Sequence, residues 1–553
     1  MDAFIFSVTV TASETVTLPL INTYVDGGGV TRTASYDFIA IWGDGTANSK
    51  VTTYNDSDRV HTYTNAGTYW IKIKGVCQGF SCYSQVAIRA QIRKVIKWGT
   101  VADFRYLNFY NCVNLTALPT GAITGASNIT TFIYFLSGCT SYTSTLDEDW
   151  FSLTPSVASF NNSFSYSGIT GNVPTLLFSY AGANVLDFQE TFRNTNLGNS
   201  SETLPDDIFD TNVNATTFYA TFYATKYTCE IPLLFTQNVD AVNFSYTFAG
   251  TPFKGTIPET LFDAAGTSAK YFTSTFDSTN ITGIPDHLFW NNTEALWFDA
   301  TFARCYGLYA GNDSLGYEVF NDNLFSQNTK VTTFAQTFWL CENLNIPLSE
   351  YMFKYNDANR SFYGTFAKVP IDGGIPRKLF WNSTETNTSV TNMSYTFYQA
   401  GSASWYLTGD LDPDLFMYQT EVTTYAYCFR WRLGITKAPN GLFRNNLKVT
   451  SFFRTFEVCY SMKLERYVFS APDPDDSGDT DEDAAYRRFT GKTMDFRYAF
   501  YLNTYGGGDN TRYAPELWDS TIYDMVGSSY TDCFNYNSGD PYSNDSAIPA
   551  GWL

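Results

Sequence analysis

"SYTFAGTPFKGTIPETLFDA", residues 245–264, holds the two elements that return along most of the chain. One is a pair of aromatic residues four positions apart, here opened by Phe244 and closed by Phe248. The other is an Ile-Pro-x-x-Leu-Phe connector, here Ile257 to Phe262. The pair recurs as Phe160/Phe164, Phe188/Phe192, Phe218/Phe222, Phe272/Phe276, Phe298/Phe302, Phe334/Phe338 and Phe362/Phe366. It continues as Met393/Phe397, Tyr425/Phe429, Phe452/Phe456, Phe496/Phe500 and Tyr530/Phe534, with looser copies near Phe109 and Leu136. The connector recurs before Phe178, Phe209, Phe289, Phe380 and Phe443, and "IPAGWL" puts Leu553 at the same place. This makes about fifteen units, mostly roughly 26–32 residues apart. Self-similarity at such a period predicts a solenoid: one unit cannot bury its apolar face alone, and stacked units share a core.

Within the pair, with the first aromatic as position 0, position 3 is small, as in Thr191, Thr221, Thr247, Thr337 and Thr396. Positions 1 and 2 vary, with Gln189, Glu190, Gln336 and Tyr363 among them. Positions 0, 3 and 4 therefore read as buried and 1 and 2 as exposed. Strict strand alternation would bury position 2, so a short strand running into a tight turn fits better. The Val-Thr or Val-Asn lead-in ("KVTTFAQTF", "SVTNMSYTF", "KVTSFFRTF") is the expected strand. The connector is expected to open a short helical turn at its proline.

Composition narrows the class. Aromatics are 18% of the 553 residues and charged residues 16%, which is neither a disordered nor a coiled-coil composition. The formal net charge of −20 argues against nucleic acid, which needs clustered Lys and Arg, and against anionic membranes. "MDAFIFSVTVTASETVTLPL" lacks a basic region and a long apolar core, so it does not read as a secretory signal. No apolar run is long enough to span a bilayer, so membrane insertion is not expected. The C-terminus shows no anchor motif.

The first hundred residues differ. Around "YDFIAIWGDGTANSK" and "NAGTYWIKIKG", period-two alternation bounded by Gly and Asn reads as antiparallel strands. Trp42-Gly43-Asp44-Gly45-Thr46, then His61-Thr62-Tyr63, then Gly67-Thr68-Tyr69 resembles the PKD-type domain. That resemblance implies an immunoglobulin-like β-sandwich over residues 1–97, used for spacing and attachment. Asp44 is expected to cap its own turn. For residues 98–553, "SVTNMSYTFYQA" and "KVTTFAQTFWLCENL" resemble the BspA-like leucine-rich-repeat surface proteins, with Phe in place of most Met. That resemblance implies a curved solenoid with one short strand per unit and a role in adhesion. The expected fold is mainly β: a sandwich at 1–97, then a leucine-rich-repeat-like solenoid at 98–553 with an acidic insert near 470–488. Strands ~4.8 Å apart would stretch fifteen units over roughly 70 Å.

Chemistry-bearing residues are sparse. Most of the ten cysteines read as small buried residues, although Cys77 and Cys82 are close enough for a local disulfide. The only histidines are His61 and His287, and no Cys-x-x-Cys pair exists, so zinc is not expected. No nucleophile, nucleotide or dinucleotide motif appears, and no enzyme is expected. In the insert, Asp475, Asp479, Asp481 and Asp483 are close enough to suggest Ca²⁺, though the EF-hand spacing is absent and a flexible acidic loop is the plainer reading. No other cofactor is expected. The sharpest binding candidates are tyrosines at position 2 (Tyr246, Tyr395, Tyr427, Tyr498) and position 1 (Tyr219, Tyr363). Exposed, they would form an aromatic platform for sugar or protein; the alternative is that they pad gaps between coils.

Adhesin-like repeats without export or anchoring signals lead to a non-enzymatic structural protein of a bacteriophage virion: a fibre, tail or capsid-surface decoration. Its expected partners are a bacterial surface glycan or protein, other virion proteins, and its own copies. The second expectation is a bacterial cell-surface adhesin, and the third a polysaccharide-degrading solenoid enzyme.

Overall fold

The computed structural model describes residues 2–198, 202–308, 322–344, 347–386, 388–399, 407–470, 488–503, 514–520, 523–535 and 542–553. Asp475, Asp479, Asp481 and Asp483 lie outside them, and so does the expected Ca²⁺ loop. The described chain is mainly β with short strands, and its one α-helix, α1, is Val86–Gln91. It divides into two compact units, Met1–Ala269 and Lys270–Leu553.

The first unit opens with an antiparallel sheet. Strand β1 (Phe4–Val10) pairs on one side with β10 (Ile92–Lys97) and on the other with β8 (Gly67–Cys77). Strand β8 pairs with β5 (Tyr36–Ile41), and β5 with β6 (Ser49–Val51). Separate ladders join β2 (Glu14–Thr17) to β7 (Val60–Tyr63) and β3 (Thr23–Val25) to β4 (Thr31–Thr33). Period-two alternation buries Tyr36, Phe38 and Ala40 from β5. Parallel pairing starts with β9 (Gly79–Ser81) against β11 (Tyr106–Asn108). Phe80 on β9 meets Phe4 and Phe6 of the sheet at 5.2 and 5.4 Å and Phe109 of the next coil at 5.7 Å. One apolar core thus runs from the sheet into the coils.

The coils of each unit are built from turns more than from strands. The expected lead-in strand contracts to a single bridge at the residue before position 0. Thr131, Ser159, Asp187, Thr217 and Asn243 bridge in succession in the first unit. Ser361, Asn392, Thr424, Ser451, Asp495 and Ser529 do so in the second. The reason lies at position 2, where φ is positive: Tyr246 +59°, Tyr395 +60°, Tyr427 +60° and Tyr498 +57°. The position-3 amide closes a turn onto the position-0 carbonyl, as Cys428 N to Tyr425 O at 3.0 Å. An i→i+3 bond with a left-handed third residue is a type II β-turn, and it ends the extended run. Gly364 fills the same slot at +61° without a side chain. The connector proline likewise opens one turn and no helix, with Leu261 N bonded to Pro258 O at 3.1 Å.

Three ladders of rings run through the coils. In the first unit, position-0 rings Phe160, Phe188, Phe218 and Phe244 follow one another at 5.6–5.9 Å, nearly parallel. Position-4 rings Phe366, Phe397, Phe429, Phe456, Phe500 and Phe534 do the same in the second at 5.2–5.7 Å. Connector rings Phe178, Phe209, Phe235 and Phe262 make the third at 6.1–6.2 Å. The coil-to-coil backbone bonds hold this spacing, and offset-parallel rings within 7 Å add to the area they bury.

Polar side chains tie coil to coil between the rings. The Thr221 hydroxyl lies 2.8 Å from Phe218 O of its own coil and 2.9 Å from Phe188 O of the preceding one. At position 7, Cys341 Sγ donates to Phe302 O at 3.0 Å, as Thr251 Oγ1 does to Phe222 O at 2.5 Å. These cysteines therefore stand in for hydroxyls, a role beyond filling space. Three residues past the connector Phe, Asn356 Nδ2 donates to Phe325 O and Asn328 O, both at 3.0 Å. Asn238 and Asn446 repeat the pattern. Cys77 and Cys82 are free and buried, so the local disulfide is not formed.

Candidate functional site

Positions 1, 2 and 5 of the coils point away from the ring ladders, and aromatic and basic side chains collect there. In the second unit, Tyr363 meets Tyr395 at 5.5 Å, and Tyr395 stacks on Tyr427 at 4.4 Å and 17°. Tyr427 meets Phe453 edge-on at 5.2 Å, and Phe453 meets Tyr498 at 6.2 Å. Four of the six tyrosines singled out from sequence thus join in one ribbon over five successive coils. Tyr219 and Tyr246 meet at 5.5 Å in the first unit. All six are half-buried: they pack on one another and keep part of each ring in solvent.

Guanidinium groups are interleaved with the rings. Arg454 lies 4.4 Å from the Tyr498 centroid and 5.2 Å from Phe453, and Arg497 lies 5.0 Å from Phe453. Arg430 lies 5.7 Å from Tyr398 and 5.8 Å from Tyr427. The buried Glu457 carboxylate holds Arg430 on one side and Arg454, at 2.6 Å, on the other. In the first unit Arg193 lies 4.8 Å from Tyr223 and 5.6 Å from Tyr166, and Tyr83, Tyr110 and Tyr134 cluster at 4.9–5.5 Å. Sequence reading missed these arginines and Phe453. The available signal was an Arg at position 1, 2 or 5 in coils that also carry Tyr. Burial, and then Tyr427, push the Tyr395 phenol well above its ordinary range, and burial followed by Tyr246 raises Tyr219. Both stay protonated donors at neutral pH.

The arrangement offers ring faces for sugar C–H groups or apolar side chains, phenol donors, and guanidinium groups for carboxylates. Acid–base candidates are differently placed. His61 Nε2 sits 2.7 Å from Asp44 Oδ2, and its ring stacks on Trp42 at 4.8 Å. Asp44 caps its own turn as expected, accepting from Thr46 N at 3.1 Å and Thr46 Oγ1 at 2.6 Å. Partial burial pushes the Asp44 carboxyl up, but hydrogen bonds from Thr46 and His61 outweigh it and draw it down to about 2. His287 meets Trp290 at 4.7 Å in its connector. Among the described residues no three His, Cys, Asp or Glu side chains gather as metal ligands, and no helix is long and apolar enough to cross a membrane.

No family model and no curated protein matches the chain, so the PKD-type and BspA-like resemblances rest on their motifs. Solved structures similar to it include leucine-rich-repeat ectodomains. The plant peptide hormone receptor RGFR1 with RGF2 is 12% identical, over 66% of this chain and 69% of that one, at a TM-score of 0.21. The Arabidopsis receptor kinase HAESA with the peptide hormone IDA and the co-receptor SERK1 is 12% identical, over 78% of each chain, at 0.30. The TLR13–ssRNA13 complex is 11% identical, over 72% and 74%, at 0.20. Overlaps this low carry no argument here; the solenoid reading rests on the ladders.

Proposed function

We propose that this protein is a non-enzymatic adhesion and structural protein that holds a bacterial surface glycan or protein on the ribbon Tyr363–Tyr395–Tyr427–Phe453–Tyr498. The observation that carries the reading is the ribbon itself. Bulky side chains sit in left-handed turn slots that favour glycine, and they are stacked, solvent-touching and interleaved with arginine. Its setting is a bacteriophage virion, as a fibre, tail or capsid-surface decoration. Residues 1–97 act there as a PKD-type immunoglobulin-like spacer, and 98–553 as a leucine-rich-repeat-like array of about fifteen units. The BspA-like motif "SVTNMSYTFYQA" favours a second setting, a bacterial cell-surface adhesin.

The test is binding of the full chain to intact bacteria and to their extracted glycans. Saturable binding is expected to weaken at least about tenfold in Tyr395→Ala/Tyr427→Ala with the melting temperature held, since two stacking contacts are removed. Unchanged binding in that variant would overturn the ribbon reading. Mass spectrometry of purified phage particles decides the setting: the chain in virions supports the first, and the chain only in bacterial envelopes supports the second.

A further inference from the structure

Outside the ribbon, the second unit has a solvent-open cavity of about 290 Å³ between the connector turns of two successive coils. Tyr351, Lys354, Lys378 and Trp381 line it together with the 382–385 turn, which brings in Asn382, Ser383, Thr384 and one carboxylate, Glu385. The Tyr351 ring has an ammonium group near it from each coil: Lys354 Nζ at 5.0 Å and Lys378 Nζ at 5.9 Å from its centroid. Lys354 also lies 5.3 Å from Tyr355, and Lys378 5.1 Å from Trp381. Trp381 is held by its indole N–H, which donates to Asp414 O at 3.1 Å. Asn382 is fixed by the Thr386 amide, which donates to its Oδ1 at 2.8 Å. Trp381 and Asn382 are therefore held in place before any ligand arrives, which limits their ordering cost on binding.

Charge gives the ligand its sign. In a chain of net charge −20, two ammonium groups and one carboxylate, Glu385, meet at one aromatic-walled cavity, which leaves it a net positive charge. Lys378 keeps one carboxylate, Glu385 Oε1 at 3.2 Å, which uses one of its three donors. Lys354 makes no ion pair with a carboxylate among the described residues, and its ammonium lies beside the rings of Tyr351 and Tyr355. An ammonium group beside aromatic faces, with donors to spare, suits an anion that also has an apolar face. The volume lies at the lower end of the ~300–1,000 Å³ of small-molecule sites, enough for one ring and little more.

We propose that this cavity binds a carboxylated sugar ring, a hexuronate unit of an acidic polysaccharide. Lys354 and Lys378 hold the carboxylate, Tyr351 offers its face to the ring C–H groups, and Asn382 and Thr384 meet hydroxyls. The site shares no residue with the ribbon, so either can fail alone.

The experiment is titration of the full chain with D-glucuronate, D-glucose and inorganic phosphate, followed by calorimetry or ligand-observed NMR. Glucuronate is expected to bind saturably, with glucose and phosphate each weaker by about tenfold or more, because each lacks one of the two recognised features. Lys354→Met and Lys378→Met keep the aliphatic stem and should each weaken glucuronate about tenfold. Glu385→Gln should tighten it, and Tyr395→Ala/Tyr427→Ala should leave it unchanged. Equal binding of phosphate and glucuronate would overturn the sugar assignment. Unchanged glucuronate affinity in both lysine variants would overturn the site. Should a lysine variant misfold, the glucuronate-to-glucose ratio of the unaltered chain decides.

Discussion

Thr337→Val removes one hydroxyl from the coil-to-coil rungs and almost nothing else. Thr337 is fully buried, and valine has nearly its shape, so no cavity opens. The hydroxyl lies 2.7 Å from Phe334 O in its own coil and 3.0 Å from Phe298 O in the preceding one. Each carbonyl keeps a backbone partner: Thr337 N at 3.3 Å for Phe334 O and Thr301 N at 3.2 Å for Phe298 O. No acceptor is orphaned, so the cost is that of one ordinary buried hydrogen bond, about 1 kcal/mol. Thr337→Ser keeps the hydroxyl and loses a methyl, about 0.8 kcal/mol. Thr337→Ala loses both and should cost about 2 kcal/mol.

A second rung makes the reasoning refutable. Phe334 O also accepts from Thr365 Oγ1 at 2.8 Å, so the two threonines share an acceptor. In Thr337→Val/Thr365→Val that carbonyl retains only the 3.3 Å amide bond. The double variant should exceed the sum of the singles by roughly 0.5–1 kcal/mol. Thr455, four coils from Thr337, bonds Tyr425 O instead, so Thr337→Val/Thr455→Val should be additive within about 0.5 kcal/mol. The assay is native-state hydrogen exchange with urea, because stacked coils open locally. Additivity in both pairs, or a Thr337→Val with no effect on amides of the flanking coils, would refute the shared-rung account.

The buried thiols should be inert in the native chain. Burial raises Cys305 to about 12 and Cys341 well above its ordinary range, so iodoacetamide at pH 8 should label only the half-buried Cys229 readily, and all ten cysteines in urea. Cys341→Ser should cost less than Cys341→Ala in a urea melt, because serine can keep the bond to Phe302 O. Asp44→Asn should destabilise residues 1–97 by about 2 kcal/mol at pH 7, read by the melt of that segment's amides. Because the folded carboxyl is depressed to about 2, that stabilisation is present above its unfolded value near 4 and is lost as pH falls toward 2. Arg432 is fully buried at a position-7 site and is lowered to about 9 by burial.

The ring ladders were legible because burial imposes period on sequence: Phe at positions 0 and 4 and Thr at 3 recur wherever the core needs them. The turn geometry was only half legible. Glu190, Ala220, Tyr246 and Arg454 all sit at position 2 with positive φ, and such unlike residues leave no compositional trace of a left-handed slot. The asparagine ladder was missed because Asn is common in turns for local reasons, and Asn356 shows its distant carbonyl partners only in three dimensions. Arg432 was missed for a different reason. Position 7 usually holds Thr or Cys, whereas Arg432 donates through Nε to Phe397 O and through Nη2 reaches back two coils to Val369 O at 3.1 Å and Phe366 O at 3.3 Å. A single residue that spans two coils has no period. For the candidate site, the tyrosines were readable from their positions, but the arginines that bind them together were not, since guanidinium reach spans coils.

The division of labour within the coil bears on what the ribbon is for. The position-2 slot constrains only the backbone. Where Ala220 occupies it, Thr221 N still closes the turn on Phe218 O at 3.1 Å, and where Ala300 does, Thr301 N closes on Phe298 O at 3.2 Å. The fold thus accepts alanine where Tyr395, Tyr427 and Tyr498 carry a ring, and the left-handed cost of order 1 kcal/mol, which arises at Cβ, falls on alanine and tyrosine alike. Stacking with neighbours offsets part of that cost, about 0.5–1.5 kcal/mol per pair, without burying the rings fully. The turn does not require the ring, and the ring stays half in solvent. These three rings, joined by Tyr363 and Phe453 from the intervening coils and flanked by Arg430, Arg454 and Arg497, form one surface, and that clustering supports the proposed binding role of the ribbon.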